Sequence, residues 1–375
     1  MQTLSLRYFV LCVTTALILP LNALSFVAPP PSVKPQLTPA SEVVNTADAA
    51  LLREALEAVD RSDWFEVRRL EPVIRDTTAR DILTWYRARR DPAMSFDQID
   101  RALTRLSAWP DIGEIRTRAE DSIETSALDM SARVTWFRRH GGATTGSGSL
   151  AYATALSQTG ENELALEQVR RAWHGRSLSN SETQAVLQRW GSALERADHE
   201  KRADFLLWTR QTSAASQMKP YVGADWRLLI DARSRLIRRG RNVDGVIDAV
   251  PGYFQSHPGL VFDRAWWRRK ARLSQDRIAP LLRDIDGRAV PAAGQGRLWD
   301  ERNIALRTAL RNRDWMLAYD LAAGHGMSSG RDFAEAEFNA GWVALRFLSD
   351  AAKALEHFEN LEKGVSTPIS LTRAR

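Results

Sequence analysis

The sequence predicts an all-α protein in which short helices pair into hairpins and the hairpins stack into a superhelix. Three observations carry that expectation. The apolar period is helical nearly everywhere from Thr46 onward, brief breakers cut the chain at short intervals, and two stretches repeat one another. At 375 residues with 44% apolar composition, the chain has ample material for such a core.

Taken in order, the first element is a leader. Arg7 precedes an apolar run from Tyr8 to Ser25 that ends near the small residues Ala23 and Ser25. That is the plan of a secretory signal peptide over 1–25, cut after Ser25. Pro20 and the shortness of the run weigh against a retained membrane anchor. Removal takes the formal charge from +6 to +5, because Arg7 is the one charged side chain in the segment. The single cysteine, Cys12, leaves with it. The remaining chain then has no disulfide, no thiol nucleophile and no cysteine-held metal. Residues 26–45 follow as a linker with five prolines between Phe26 and Pro39, an extended tether without a core.

The superhelical domain is expected over 46–375. Phe96, Ile99, Leu103 and Leu106 recur at 3-4-3 spacing and define one helix face, and Leu281, Leu282 and Ile285 close a shorter stripe. No stretch alternates convincingly, so strands are at most marginal. The breakers "RDPAMS" (90–95), "AWPDIG" (108–113), "HGGATTGSGS" (140–149), "AVPGYFQSHPG" (249–259) and "AVPAAGQG" (289–296) read as turns between helices. Thr367-Pro368 reads as the entry to a last helix, with Thr as cap and Pro in the first turn.

The repeats sharpen this. "AVDRSDWFEVRRL" from Ala58 and "ALRNRDWMLAYDL" from Ala309 align without a gap at the first Ala, the Asp-Trp pair and the final Leu. Asp63 and Asp314 then sit at helix starts, where a carboxylate accepts orphan N–H groups. Leu164-Ala165-Leu166-Glu167 also lies over Lys353-Ala354-Leu355-Glu356. A small Ala followed four residues on by Val169 or Phe358 is tetratricopeptide-like packing. The predicted architecture is an α-superhelix, a solenoid, of degenerate tetratricopeptide-like helical hairpins. Its 13 Trp belong mostly to apolar stripes. Trp266 and Trp267 are adjacent and cannot both enter one core.

The chain has 46 Arg and 6 Lys against 46 Asp and Glu. The opposite charges interleave, which argues for paired, solvated helix faces and against a nucleic-acid stripe. Basic clusters still stand out at "WFRRHGG" and "WWRRKAR". Arg138, Arg139, Trp266, Trp267, Arg268, Arg269 and His325 are candidate ligand contacts, able to meet an anionic glycan–peptide ligand by charge and stacking. His325 lies in "GHG" (324–326) after a helix, where glycine reads as a left-handed C-cap and the His as a partner for a terminal carbonyl or a groove. The six His are scattered, so no metal site is expected, and no cofactor motif is present. "GMSSG" (326–330) has nucleophile-elbow spacing around Ser328, but a helix, not a strand, precedes it. No catalytic residue emerges from the spacing.

The stretch from Leu317 to Ser370 resembles the late superhelical region of soluble lytic murein transglycosylases. "SDWFEVRRLEPVIRDTTARDILTWYRAR", "WPDIGEIRTRAE" and "VFDRAWWRRKAR" fit the same family in order, so the resemblance runs from about Asp48 to Arg375. It implies a periplasmic protein contacting peptidoglycan glycan strands, with cell-wall proteins as further partners and no membrane contact after signal removal. Complete members of that family cleave the β-1,4 bond between N-acetylmuramic acid and N-acetylglucosamine to a 1,6-anhydro product. They use one Glu in a Glu-Ser dipeptide ahead of a Gly-Leu-Met-Gln stretch, in a lysozyme-like domain after the superhelix. Neither string occurs in this sequence. The resemblance therefore implies the scaffold without the catalytic domain, truncated before it, and an inactive chain on its own. A stand-alone periplasmic adaptor that binds a protein partner in its groove is the alternative.

Overall fold

The computed structural model describes residues 45–374. The signal peptide over 1–25 and the linker up to residue 44 lie outside the described residues. Twenty α-helices and several short 3-10 turns make up the rest, and no strand occurs among the described residues.

The first half runs α1 (Thr46–Asp60), α2 (Trp64–Leu70), α3 (Thr77–Arg90), α4 (Phe96–Arg105), α5 (Ile112–Ser122), α6 (Met130–Arg139), α7 (Gly146–Gln158), α8 (Asn162–Gly175), α9 (Asn180–Trp190) and α10 (Arg196–Trp208). The second half runs α11 (Thr212–Gln217), α12 (Ala224–Ile237), α13 (Val243–Asp248), α14 (Pro258–Lys270), α15 (Ala279–Arg283), α16 (Ala292–Arg311), α17 (Trp315–Ala323), α18 (Gly330–Arg346), α19 (Ala351–Gly364) and α20 (Pro368–Ala374). Helices pack on the next in sequence, as α7 on α8 and α18 on α19, and on the next but one, as α3 on α5 and α8 on α10. That is superhelical stacking. Contacts from α10 reach beyond this pattern, to α14, where Trp208 meets Phe262, and to α16, where a Cβ on Gly294 would lie 2.5 Å from the Trp208 ring.

A single turn design recurs. Ser62, Gly160, Arg210 and Arg313 adopt left-handed φ of 58°, 89°, 65° and 59°. The next N–H returns to a carbonyl five residues earlier: Asp63 to Ala58 at 2.8 Å, Glu161 to Leu156 at 2.8 Å, Gln211 to Leu206 at 2.8 Å and Asp314 to Ala309 at 2.9 Å. This closes the outgoing helix and opens the incoming one with a single residue. Asp63 and Asp314 then cap as expected, accepting from Glu66 N and Leu317 N at 3.2 Å each. The aligned Ala58, Ala309, Leu70 and Leu321 are all buried. So are Ala165, Ala354 and the whole stripe Phe96, Ile99, Leu103 and Leu106. The last helix starts at Pro368, with Thr367 Oγ1 accepting from Ser370 N at 3.3 Å.

One expectation is corrected. "HGGATTGSGS" and "AVPAAGQG" are only half turn, since α7 begins at Gly146 and α16 at Ala292. Gly148 is needed for close approach: a Cβ there would meet Glu120 Oε2 at 2.3 Å. Glu120 is 1% exposed and accepts from Thr144 N at 2.9 Å and Thr145 N at 2.7 Å, so it supplies an acceptor for the entry to α7 from a neighbouring helix. Of the two glycines of "GHG", Gly326 is the left-handed one at φ +71°, whereas Gly324 has φ −78°.

Part of the arginine content is also turned onto backbone carbonyls and not left to solvent, with Arg202 and Arg302 buried and Arg118 half-buried. Arg118, on α5, donates to Arg87 O and Ala88 O at 2.9 Å each and to Asp91 O at 2.8 Å, at the end of α3. Arg202, on α10, donates to Arg176 O at 2.7 Å and Trp173 O at 3.2 Å, at the end of α8. Arg302, on α16, donates to Leu282 O at 2.8 Å and also to Ile285 O and Gly324 O, which closes α15 and α17 together.

Replacing Arg302 by Met strands these buried acceptors. Each stranded group costs about 1–3 kcal/mol, so the substitution lowers unfolding free energy by about 2–5 kcal/mol in urea denaturation. Arg307→Met, on the same helix but exposed, shifts it by less than about 0.5 kcal/mol. An unchanged urea midpoint for Arg302→Met refutes the capping role.

Candidate functional site

Of the sequence-derived candidates, Arg139 is the one that faces open concave surface on two sides. Ser95 starts α4 as a capping box with Gln98, which fixes the helix so that Phe96 and Ile99 point inward and Asp100 points toward α6. Asp129 caps α6 by accepting from Ala132 N at 2.7 Å. The last turn of α6 then presents Arg138, Arg139 and His140 side by side.

A cleft of about 500 Å³ opens between α4, α5 and the end of α6, lined by Leu103, Thr104, Ser107, Ile112, Gly113, Arg116, Arg139 and His140. A second hollow of about 510 Å³ lies on the other side of Arg139 and includes Asp100, Thr135 and Trp136. The floor of the first is apolar and its rim carries two hydroxyls and two guanidinium groups. Such a surface can take a polar, anionic chain along it, the hydroxyls serving as donors or acceptors and the guanidinium groups as planar forks.

Asp100 organises the junction. It accepts from Trp136 Nε1 at 2.7 Å and from Arg139 Nη2 at 3.4 Å, and it faces His140 Nε2 at 3.7 Å. Trp136 is buried, so its ring supports His140 from below, with centroids 4.6 Å apart, and does not stack on a ligand. Burial pushes the His140 imidazole below its ordinary 6.5, the neighbouring Arg139 charge adds to the fall, and Asp100 opposes both. His140 therefore stands neutral at pH 7, with a ring nitrogen that has no hydrogen-bond partner in the protein.

The other candidates are placed differently. Arg138 is half exposed and pairs with Glu161 at the start of α8. Trp266 packs into the cluster around Phe262 and Leu282, under the Arg210 guanidinium at 4.5 Å, whereas Trp267 packs into the separate cluster around Leu260 and Val250. Arg268 donates to Arg277 O at 2.9 Å, and Arg269 forms a two-pronged pair with Glu301. These four belong to α14, which packs on α12 and α15, while Arg138 and Arg139 belong to α6, which packs on α7. The two patches are thus built in different parts of the array.

His325 is 6% exposed and turns inward. It meets neither a carbonyl nor a groove: Nδ1 accepts from Met327 N at 2.9 Å, and Nε2 lies 3.1 Å from Glu337 Oε1. His357 Nδ1 takes the other oxygen of Glu337 at 2.6 Å, and its Nε2 lies 3.1 Å from the Tyr319 hydroxyl. Despite burial, hydrogen bonds from both histidines hold the Glu337 carboxyl below its ordinary 4.5. Sequence reasoning missed Asp100, Arg116, Glu337 and Tyr319. The first has a faint signal, since it lies on the polar face of the one helix whose apolar stripe is unambiguous, and the others have none.

The two charges beside His140 act in opposite senses, and this is measurable. In an NMR titration the His140 ring titrates below 6.5 in the unaltered protein. Asp100→Asn lowers that value further, because the charge that favours the imidazolium is gone, and Arg139→Ala raises it. Shifts of the same sign in both variants contradict this geometry.

No protein-family model matches the chain, and no curated protein does. Among solved structures, the 70 kDa soluble lytic transglycosylase from Escherichia coli is similar at a TM-score of 0.41 and 14% identity, over 84% of this chain and 56% of that one. The chain spans little more than half the length of that neighbour.

Proposed function

We propose that this chain is the superhelical scaffold and peptidoglycan-contacting part of a periplasmic lytic transglycosylase system. The observation that supports it most directly is the open cleft of about 500 Å³ at Arg139, where Leu103 and Ile112 lie beside Thr104, Ser107, Arg116 and a neutral His140. Glycan strands with peptide stems offer what such a surface recognises: hydroxyls, amides and scattered carboxylates. The motif resemblance from Leu317 to Ser370 and the leader-like 1–25 point the same way, toward export and the cell wall. No residue of the described helices is assigned to bond cleavage, so the role is to hold and orient a strand.

The test is sedimentation with purified murein sacculi. Chain starting at Phe26 co-sediments weakly, and less in high salt, because exposed arginine contacts are screened. Arg139→Ala lowers the bound fraction several-fold. Muropeptide analysis of the supernatant shows no anhydro products. Release of such products overturns the scaffold reading, and binding that neither salt nor Arg139→Ala reduces removes the cleft from it.

A further inference from the structure

A second concave surface is lined by more positive than negative side chains. Between α16, the start of α18 and the 364–373 segment lies a hollow of about 700 Å³. Three arginines from three elements line it: Arg307 on α16, Arg331 on α18 and Arg373 on α20. The one acidic side chain in the lining is Glu335.

Glu335 is already committed. Its Oε1 accepts from Asn303 Nδ2 at 2.9 Å and its Oε2 from Trp299 Nε1 at 3.1 Å. Arg307 stays at 3.8 Å from it, beyond hydrogen-bond reach, with its side chain 70% exposed. Arg331 touches the adjacent Asp332, a solvent-exposed contact of little energetic weight. Arg373 is exposed and lies with its guanidinium 5.8 Å from the Phe338 ring. At the mouth, Thr367 Oγ1 donates to Ser370 Oγ at 2.9 Å, which leaves the Ser370 proton free to donate. The hollow thus presents three planar forks of donors and a hydroxyl: Arg331 spends two N–H groups on Asp332, at 3.2 and 3.1 Å, and Arg307 meets Glu335 only as a loose ion pair at 3.8 Å, so donors remain on each fork.

We propose that this hollow binds a polyvalent oxyanion, a ligand with two or more carboxylates or phosphates, each engaged by one arginine. Guanidinium groups match both oxyanions bidentately, and three of them on separate elements favour a ligand that bridges all three over a single ion. The site is separate from the Arg139 cleft, so neither proposal depends on the other.

Calorimetric titration of the purified full-length chain with tricarballylate and with tripolyphosphate tests it. The expected result is saturable binding of at least one of them, weakened by raising the salt. Affinity falls at least tenfold in the Arg307→Gln/Arg373→Gln protein and is unchanged in Arg53→Gln, an exposed arginine of α1 that lines neither hollow. Both replaced arginines are exposed, and an unaltered helical circular dichroism spectrum confirms that the double variant is folded. A preference for tricarballylate identifies the ligand as a carboxylate carrier such as a peptide or sugar acid, and a preference for tripolyphosphate as a phosphate-bearing one. Absence of binding at millimolar anion, or equal binding by the double variant, overturns the proposal.

Discussion

An array of short helices has a recurring difficulty: every helix end leaves carbonyls without intrahelical donors, and stacking buries those ends. The described structure meets it with arginines from the helix that packs over the end. Arg118 closes α3, Arg202 closes α8, and Arg302 closes α15 and α17 at once. Only a guanidinium can do this, since it spreads up to five donors in one plane and reaches several carbonyls together, where an ammonium is a compact point. The negative end of each macrodipole stabilises the buried cation in place of a carboxylate. Burial lowers Arg202 and Arg302 to about 10, still far above neutral, so both remain charged. Three of the 46 Arg thus have a structural role that owes nothing to a ligand.

That cause also separates what was legible in the sequence from what was not. The alignment of Asp63-Trp64 with Asp314-Trp315 placed two caps correctly, because a cap depends on residues within three positions of itself. The Phe96–Leu106 stripe and the buried Ala165 and Ala354 were legible for the same local reason, a period of 3.6. What failed depends on partners far along the chain. Gly148 and Gly294 look like turn residues until Glu120 and the Trp208 ring are seen pressed against them. His325 looks like a free cap residue until Glu337 and His357 close on it from the next two helices. An Arg that caps a distant helix is indistinguishable in sequence from one that faces water.

The same reasoning sorts the candidate contacts. On α14, four residues that look like an aromatic–arginine surface are largely spent inside the protein: two indoles enter two cores, Arg269 neutralises Glu301, and Arg268 holds a backbone carbonyl. On α6 the outcome differs because Asp100 already takes the Trp136 indole and holds Arg139 only at 3.4 Å, so the guanidinium keeps most of its donors. A side chain that is exposed, loosely held and set between two hollows is the kind that has donors left for a ligand.

Order at the far end of the array supports its binding surface in turn. Glu335 and Glu337 are two residues apart on α18, and a step of two carries a side chain to the other flank of a helix. Glu337 faces inward and ties α18 to the turn after α17 and to α19 through two histidines, with Tyr319 of α17 behind them. Glu335 faces the hollow and fixes Trp299 and Asn303 of α16. One helix is therefore clamped on both flanks by carboxylates with saturated partners. The consequence falls on the arginines around it: Arg307 and Arg331 project from elements held rigidly relative to each other, while neither is drawn into the clamps. Two of the hollow's three cations thus project from helices held in fixed register, each with only a loose or solvent-exposed carboxylate partner, and most of their donors are left for something outside the chain.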